Sequence, residues 1–160
     1  MRTSSWAGTR RHVGIALFVA LGIALALAVR TAQAAPQTPL SVSIKAEHLD
    51  GTRPDGAPLS LRLNFDADGT ASALTATGKA VGNPGAHVEW SMTGSMTGDV
   101  LTFTGVVTDA LPPALIGMQG WLVVNAATGT ATISWWVTSG PFAYQPGIAS
   151  GEAKVDIRTS

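Results

Sequence analysis

Few residues in this sequence are of the types that do chemistry, and their spacing limits what they can do. Beyond the N-terminal leader described below, two histidines remain, His48 and His87. Glu47 and Asp50 flank the first and Glu89 follows the second. Histidine with carboxylate can hold a divalent metal or move a proton, but zinc sites need closely spaced nitrogen and sulfur ligands, and the chain has no cysteine. Serines are common, yet no Gly-x-Ser-x-Gly elbow stands between a strand and a helix. Glu47, Glu89 and Asp109 are expected at the surface, where carboxylates are not tuned for acid–base work. Asp66 and Asp68 resemble the start of a calcium loop, but the bidentate glutamate and the loop length are missing. The sequence therefore assigns no catalytic residue, no metal and no cofactor. What stands out instead is apolar: Leu111, Leu115, Ile116 and Met118 in one expected link, and Phe142 and Tyr144 in another. Trp136 joins them, because alternation turns it away from Trp135.

The elements that must position these residues are strands. The stretch 120–140 reads as two arms, 121–125 and 130–138, folded across a turn at 126–129. On the second arm Ala131, Ile133, Trp135 and Val137 share one face, with Thr130, Thr132, Ser134 and Thr138 on the other. Residues 40–48 alternate with Leu40, Val42, Ile44 and Ala46 inward. Residues 59–65 do the same with Leu59, Leu61, Leu63 and Phe65. The sequence predicts further strands over 70–81 (Leu74, Ala76 and Ala80 inward), from His87 (Val88, Trp90 and Met92 inward), over 100–108 (Leu101, Phe103, Gly105 and Val107 on one face) and over 148–158. Gly and Pro cluster in the links, and tight turns are expected at 66–69 and 94–99. Trp90, Trp121 and Trp135 are expected in the core.

Residues 1–34 read as an export signal. Arg2, Arg10 and Arg11 precede an unbroken apolar run over 13–29, and Ala32-Gln33-Ala34 forms a small-x-small cleavage site. Arg10-Arg11 also fits a twin-arginine signal, although the Leu- and Ala-rich run suits the general secretory route better. The alternative is a retained anchor, since the run is just long enough to span a bilayer. With cleavage after Ala34, the protein is expected in the periplasm or outside the cell. Residues 35–160 then form one domain with six basic residues against ten acidic ones, a net charge of −4. Scattered acidic charge of this kind excludes nucleic acid and anionic lipid as partners, which reward clustered Lys and Arg. Without disulfides, stability must come from the core.

Eight short-linked strands and no long crossover predict an all-β antiparallel meander closing into a small barrel, with a two-sheet sandwich as the alternative. A lipid-spanning barrel would carry its apolar face outward; here the charges fall on the regular polar faces of the strands. The expected topology resembles the lipocalin and avidin type of ligand-binding barrel. The likeness is one of architecture over residues 35–160: the Gly-x-Trp of lipocalins is absent from residues 40–48, and no binding residues carry over. In a meander, alternate links share an end. The long links 49–58, 109–117 and 139–147 therefore fall together, with His48 and His87 beside them. The chain is expected to be a non-enzymatic barrel that binds a small hydrophobic ligand at this end through His48, His87, Leu111, Leu115, Ile116, Met118, Trp136, Phe142 and Tyr144. The alternatives are a protein partner docked on the same apolar links, a barrel enzyme that shelters its substrate in the cavity, and links that merely plug the barrel.

Overall fold

The computed structural model describes residues 37–82 and 85–159; the expected export signal, and Asn83 and Pro84 of one link, lie outside the described residues. Nine strands follow in order: β1 (Pro39–Thr52), β2 (Pro58–Thr70), β3 (Ala73–Gly82), β4 (Ala86–Thr97), β5 (Val100–Leu111), β6 (Gln119–Asn125), β7 (Thr130–Trp136), β8 (Gly147–Glu152) and β9 (Lys154–Thr159). A 3-10 turn, Pro113–Leu115, interrupts them between β5 and β6. Each strand pairs antiparallel with the next up to β8, and β1 pairs with both β8 and β9. The ring is closed, which an antiparallel meander of eight strands permits once β8 and β9 are taken as one. β8 and β9 are one strand broken at Ala153, whose N–H donates to the Gly129 carbonyl (2.8 Å) instead of continuing the ladder.

Pairing positions define the barrel's stagger. Starting at Leu40, the partners run Gly69, Leu74, Gly94, Phe103, Leu122, Ile133 and Ala149, and return to β1 at Gly51 rather than Leu40. This shift of eleven residues includes one extra residue at a bulge between Ala46 and Leu49. Eight strands with a stagger of this size enclose an interior just wide enough for side chains to fill. Among the described residues, twenty-five buried apolar residues fill it, Phe65, Phe103, Ile44, Leu49, Leu74 and Leu101 among them, and no polar or charged residue is buried with them.

The filling depends on aromatics laid over glycines. Phe65 faces Gly78 across the ladder, Phe103 faces Gly94 and Trp135 faces Gly147. A Cβ on Gly78 would sit 2.5 Å from the Phe65 ring, and one on Gly94 would sit 2.5 Å from the Phe103 ring. Trp90 reaches further, from β4 beneath β5 to β6, where a Cβ on Gly120 would sit 2.5 Å from Cζ3 and Cη2 of its indole. Glycine in a strand costs local stability, and here each one makes room for a ring that must cross a narrow barrel.

Several boundaries differ from those read in the sequence. β1 runs on to Thr52 and the bulge at Glu47 and His48 leaves both exposed in mid-strand, so His48 does not end the strand. Asp66–Gly69 is not a turn: β2 keeps its alternation through buried Ala67 and turns only at residues 71–72, because sheet pairing outweighs local turn propensity. Likewise β4 passes through Gly94 and turns at Gly98 and Asp99, with Gly98 at φ 58°. The hairpin at 126–129 is as expected, with Gly129 at φ 66°. There the Asn125 side-chain oxygen accepts from the N–H groups of Ala127 (3.0 Å) and Thr128 (3.1 Å).

Candidate functional site

The antiparallel order puts the links 53–57, 112–118 and 137–146 at one end of the barrel and the tight turns 71–72, 98–99 and 126–129 at the other. Each long link is built differently. β5 outruns β6: past Val106 it pairs only with β4, then the chain reverses through the 3-10 turn and returns to Val107. Val107 N–H donates to the Met118 carbonyl and Gly117 N–H to the Val107 carbonyl, both at 2.9 Å. This return buries Met118 against the core, half-buries Leu115, and leaves Leu111 (62 % exposed) and Ile116 outside. The link thus plugs the barrel with two side chains and presents two others.

The link 137–146 is held by the Tyr144 N–H donating to the Val137 carbonyl (2.9 Å). Tyr144 has φ 61°, the one non-glycine residue among the described residues with a positive φ. A left-handed backbone costs a side chain with a Cβ about 1–2 kcal/mol. Tyr144 is 72 % exposed, and Phe142 is also exposed. Trp136 lies on the outer face of β7, opposite exposed Gln119, and is half-buried.

Beneath the links lies a layer of large side chains: Trp90, Trp135, Val107 and Met118, all buried. The indole N–H of Trp90 (2 % exposed) has no hydrogen-bond partner among the described residues. Leaving such a donor unpaired in the interior costs about 1–3 kcal/mol. The Nε–H of Arg53, in the link 53–57 at the same end, is likewise buried and unpartnered, although Nη2 of that side chain lies 3.2 Å from the Asp55 carboxylate.

The two histidines are not brought together. Glu47 and His48 bulge opposite Arg62, which pairs with Val81, which pairs with His87, which pairs with Leu111. His48 and His87 thus share an outward row but stand three strand spacings apart, about 14 Å. Among the described residues no three His, Asp or Glu side chains cluster as a metal site. Next to His87, Lys79 Nζ lies 2.7 Å from the Glu89 carboxylate, in an open hollow of about 330 Å³ that also includes Asp109 and Leu111. The hydrogen bond to Glu89, then its charge, and to a lesser degree Asp109, raise the Lys79 pKa above its ordinary 10.5. This is a solvated ion pair on the outer wall, and such pairs contribute little to stability.

A larger open hollow, about 590 Å³, lies at the opposite end, between Gln37–Leu40, Ala71–Ser72 and Ser95–Thr97. Its lining mixes the hydroxyls of Thr38, Ser72, Ser95 and Thr97 with apolar Leu40, Ala71 and Met96, and it has no sequence signature because the lead-in to β1 stands beside two turns remote in the chain. Sequence reasoning also placed Trp121 in the core, whereas it is 48 % exposed. The signal was present: with Asn125 opposite Thr130, Trp121 must oppose Ser134, which alternation turns outward. Trp90 and Arg53 were missed as donors because an unpaired N–H is a property of packing, not of residue type. Known protein families, curated proteins and solved structures offer no match to this chain.

Proposed function

We propose that the protein is an exported, non-enzymatic barrel that binds a small apolar molecule bearing an acceptor oxygen at its long-link end. The ligand rests on the layer of Trp90, Trp135 and Met118, between the links that carry Leu111, Leu115, Ile116, Phe142 and Tyr144. One observation carries this reading: the unpartnered Trp90 N–H in an otherwise apolar layer, which an acceptor oxygen would satisfy. Arg53 offers a second donor at the same end. The positive φ of Tyr144 gives independent support, since backbone strain held at a ligand-facing residue persists where the surroundings impose it.

Titration of tryptophan emission with decanoic acid, decanol and a hydrocarbon of equal length tests the reading. The two oxygen-bearing ligands are expected to bind about tenfold more tightly than the hydrocarbon, the worth of one hydrogen bond in a dry site. Tyr144→Asn should separate function from folding. Asparagine tolerates the left-handed backbone, so the variant is expected to gain about 0.5–1 kcal/mol of stability while its affinity falls. No response to the ligands, or unchanged binding in Tyr144→Asn, would count against the proposal. A protein partner is the second reading, favoured by the exposure of Leu111 and Tyr144; capture of one defined protein, lost in Leu115→Asp, would replace the first.

A further inference from the structure

Between Ala110 and Gly151 the chain contains no Asp, Glu, Lys, Arg or His. Folding turns this stretch into an uncharged outer wall made of β6, β7 and the adjoining faces of β5 and β8. Two outward rows cross it: Thr104, Trp121, Ser134 and Ile148 in one, and Val106, Gln119 and Trp136 in the next. Trp121 is 48 % and Ile148 49 % exposed, and Val106 is exposed beside them. The remaining outward groups of these rows are the half-buried indole of Trp136, the hydroxyls of Thr104 and Ser134 and the amide of Gln119. On the opposite wall, by contrast, the outward faces of β1 to β4 carry Lys45, Glu47, Asp50, Arg62, Asp66, Asp68, Lys79 and Glu89.

We propose that this wall binds a neutral polysaccharide chain. A surface without ionic groups cannot compensate the desolvation of a charged partner, so its occupant must itself be neutral. Sugar rings have apolar C–H faces that stack on indoles and hydroxyl rims that pair with Ser, Thr and Gln, which is the mixture this wall presents. Trp121 and Trp136 are diagonal neighbours, a pair about 7–8 Å apart in an antiparallel ladder and within reach of each other's aromatic side chains. They form a short aromatic track with Gln119 and Ser134 between them. The wall spans about 19 Å by 20 Å. That is roughly half of the ~800 Å² per side that a stable protein interface needs, which favours a thin linear chain over a second copy of the protein. The proposal is independent of the long-link reading, because Trp121 and the Trp90 layer lie on opposite sides of the sheet.

The test is affinity electrophoresis of the exported protein in gels containing laminarin, hydroxyethyl cellulose or galactomannan, with alginate as a charged control. At least one neutral polymer is expected to retard the protein, and the retardation should persist at ~1 M salt because no ion pair is involved. Trp121→Thr, which suits an exposed strand position, should weaken binding about tenfold with an unchanged circular dichroism spectrum. Lys79→Ala on the charged wall should have no effect. Absence of retardation by every neutral polymer, or retention of binding in Trp121→Thr, would overturn the proposal. So would a concentration-dependent dimer abolished by Trp121→Thr, which would assign the wall to a second copy.

Discussion

Phe103→Ala should lower the stability of the barrel by about 3–5 kcal/mol, the largest single effect expected here. Phe103 is fully buried on β5, and its ring lies over Gly94 of β4, where no side chain can swing in to fill the space. The ladder also prevents collapse, because β4 and β5 are each fixed by hydrogen bonds on both edges. Net stabilities of domains this size lie near 5–15 kcal/mol, so the variant would lose a large fraction of the total. Phe103→Leu keeps most of the volume and should cost less than half as much. Chemical denaturation at equilibrium measures both. A loss below about 1 kcal/mol for Phe103→Ala would mean that the interior is not close-packed.

Gly120→Ala is the second large effect and has the opposite origin. One added methyl would meet the Trp90 indole at 2.5 Å, and Trp90 is confined within the filled barrel. Overpacking of this kind costs about 1–3 kcal/mol, and the upper part of that range is expected because the obstacle is a rigid ring. For a domain of this size the melting temperature should fall by about 8–12 °C. Gly120→Ala combined with Trp90→Phe should recover much of the loss, since the atoms that clash belong to the six-membered ring of the indole. Additive losses in the double variant would show that Gly120 and Trp90 do not meet.

The sequence revealed the closed barrel because alternation recurs in every segment that faces the core. Leu40, Val42, Ile44 and Ala46, or Leu101, Phe103 and Val107, announce their faces without any tertiary information. The strand ends were less legible. Asp66-Ala67-Asp68-Gly69 has turn composition, yet it remains in β2 because β1 and β3 supply ladder partners along its whole length. The bulge at Glu47 and His48 was hidden for the same reason: an extra residue is visible only against a partner strand. At the long-link end, the apolar residues themselves could be read. Their division into buried Met118, half-buried Leu115 and exposed Leu111 and Ile116 could not, because it follows from the return of the chain to Val107. The Trp90 donor has no sequence signature at all.

The indole N–H resonances report on the long-link end most directly. Loss of one resonance in Trp90→Phe identifies the Trp90 signal in a proton–nitrogen correlation spectrum. On addition of decanol that signal is expected to move downfield as its N–H gains an acceptor, while the Trp121 signal on the outer wall stays in place. A Trp90 resonance unmoved at saturating decanol, or one already at a hydrogen-bonded position in the free protein, would contradict the account.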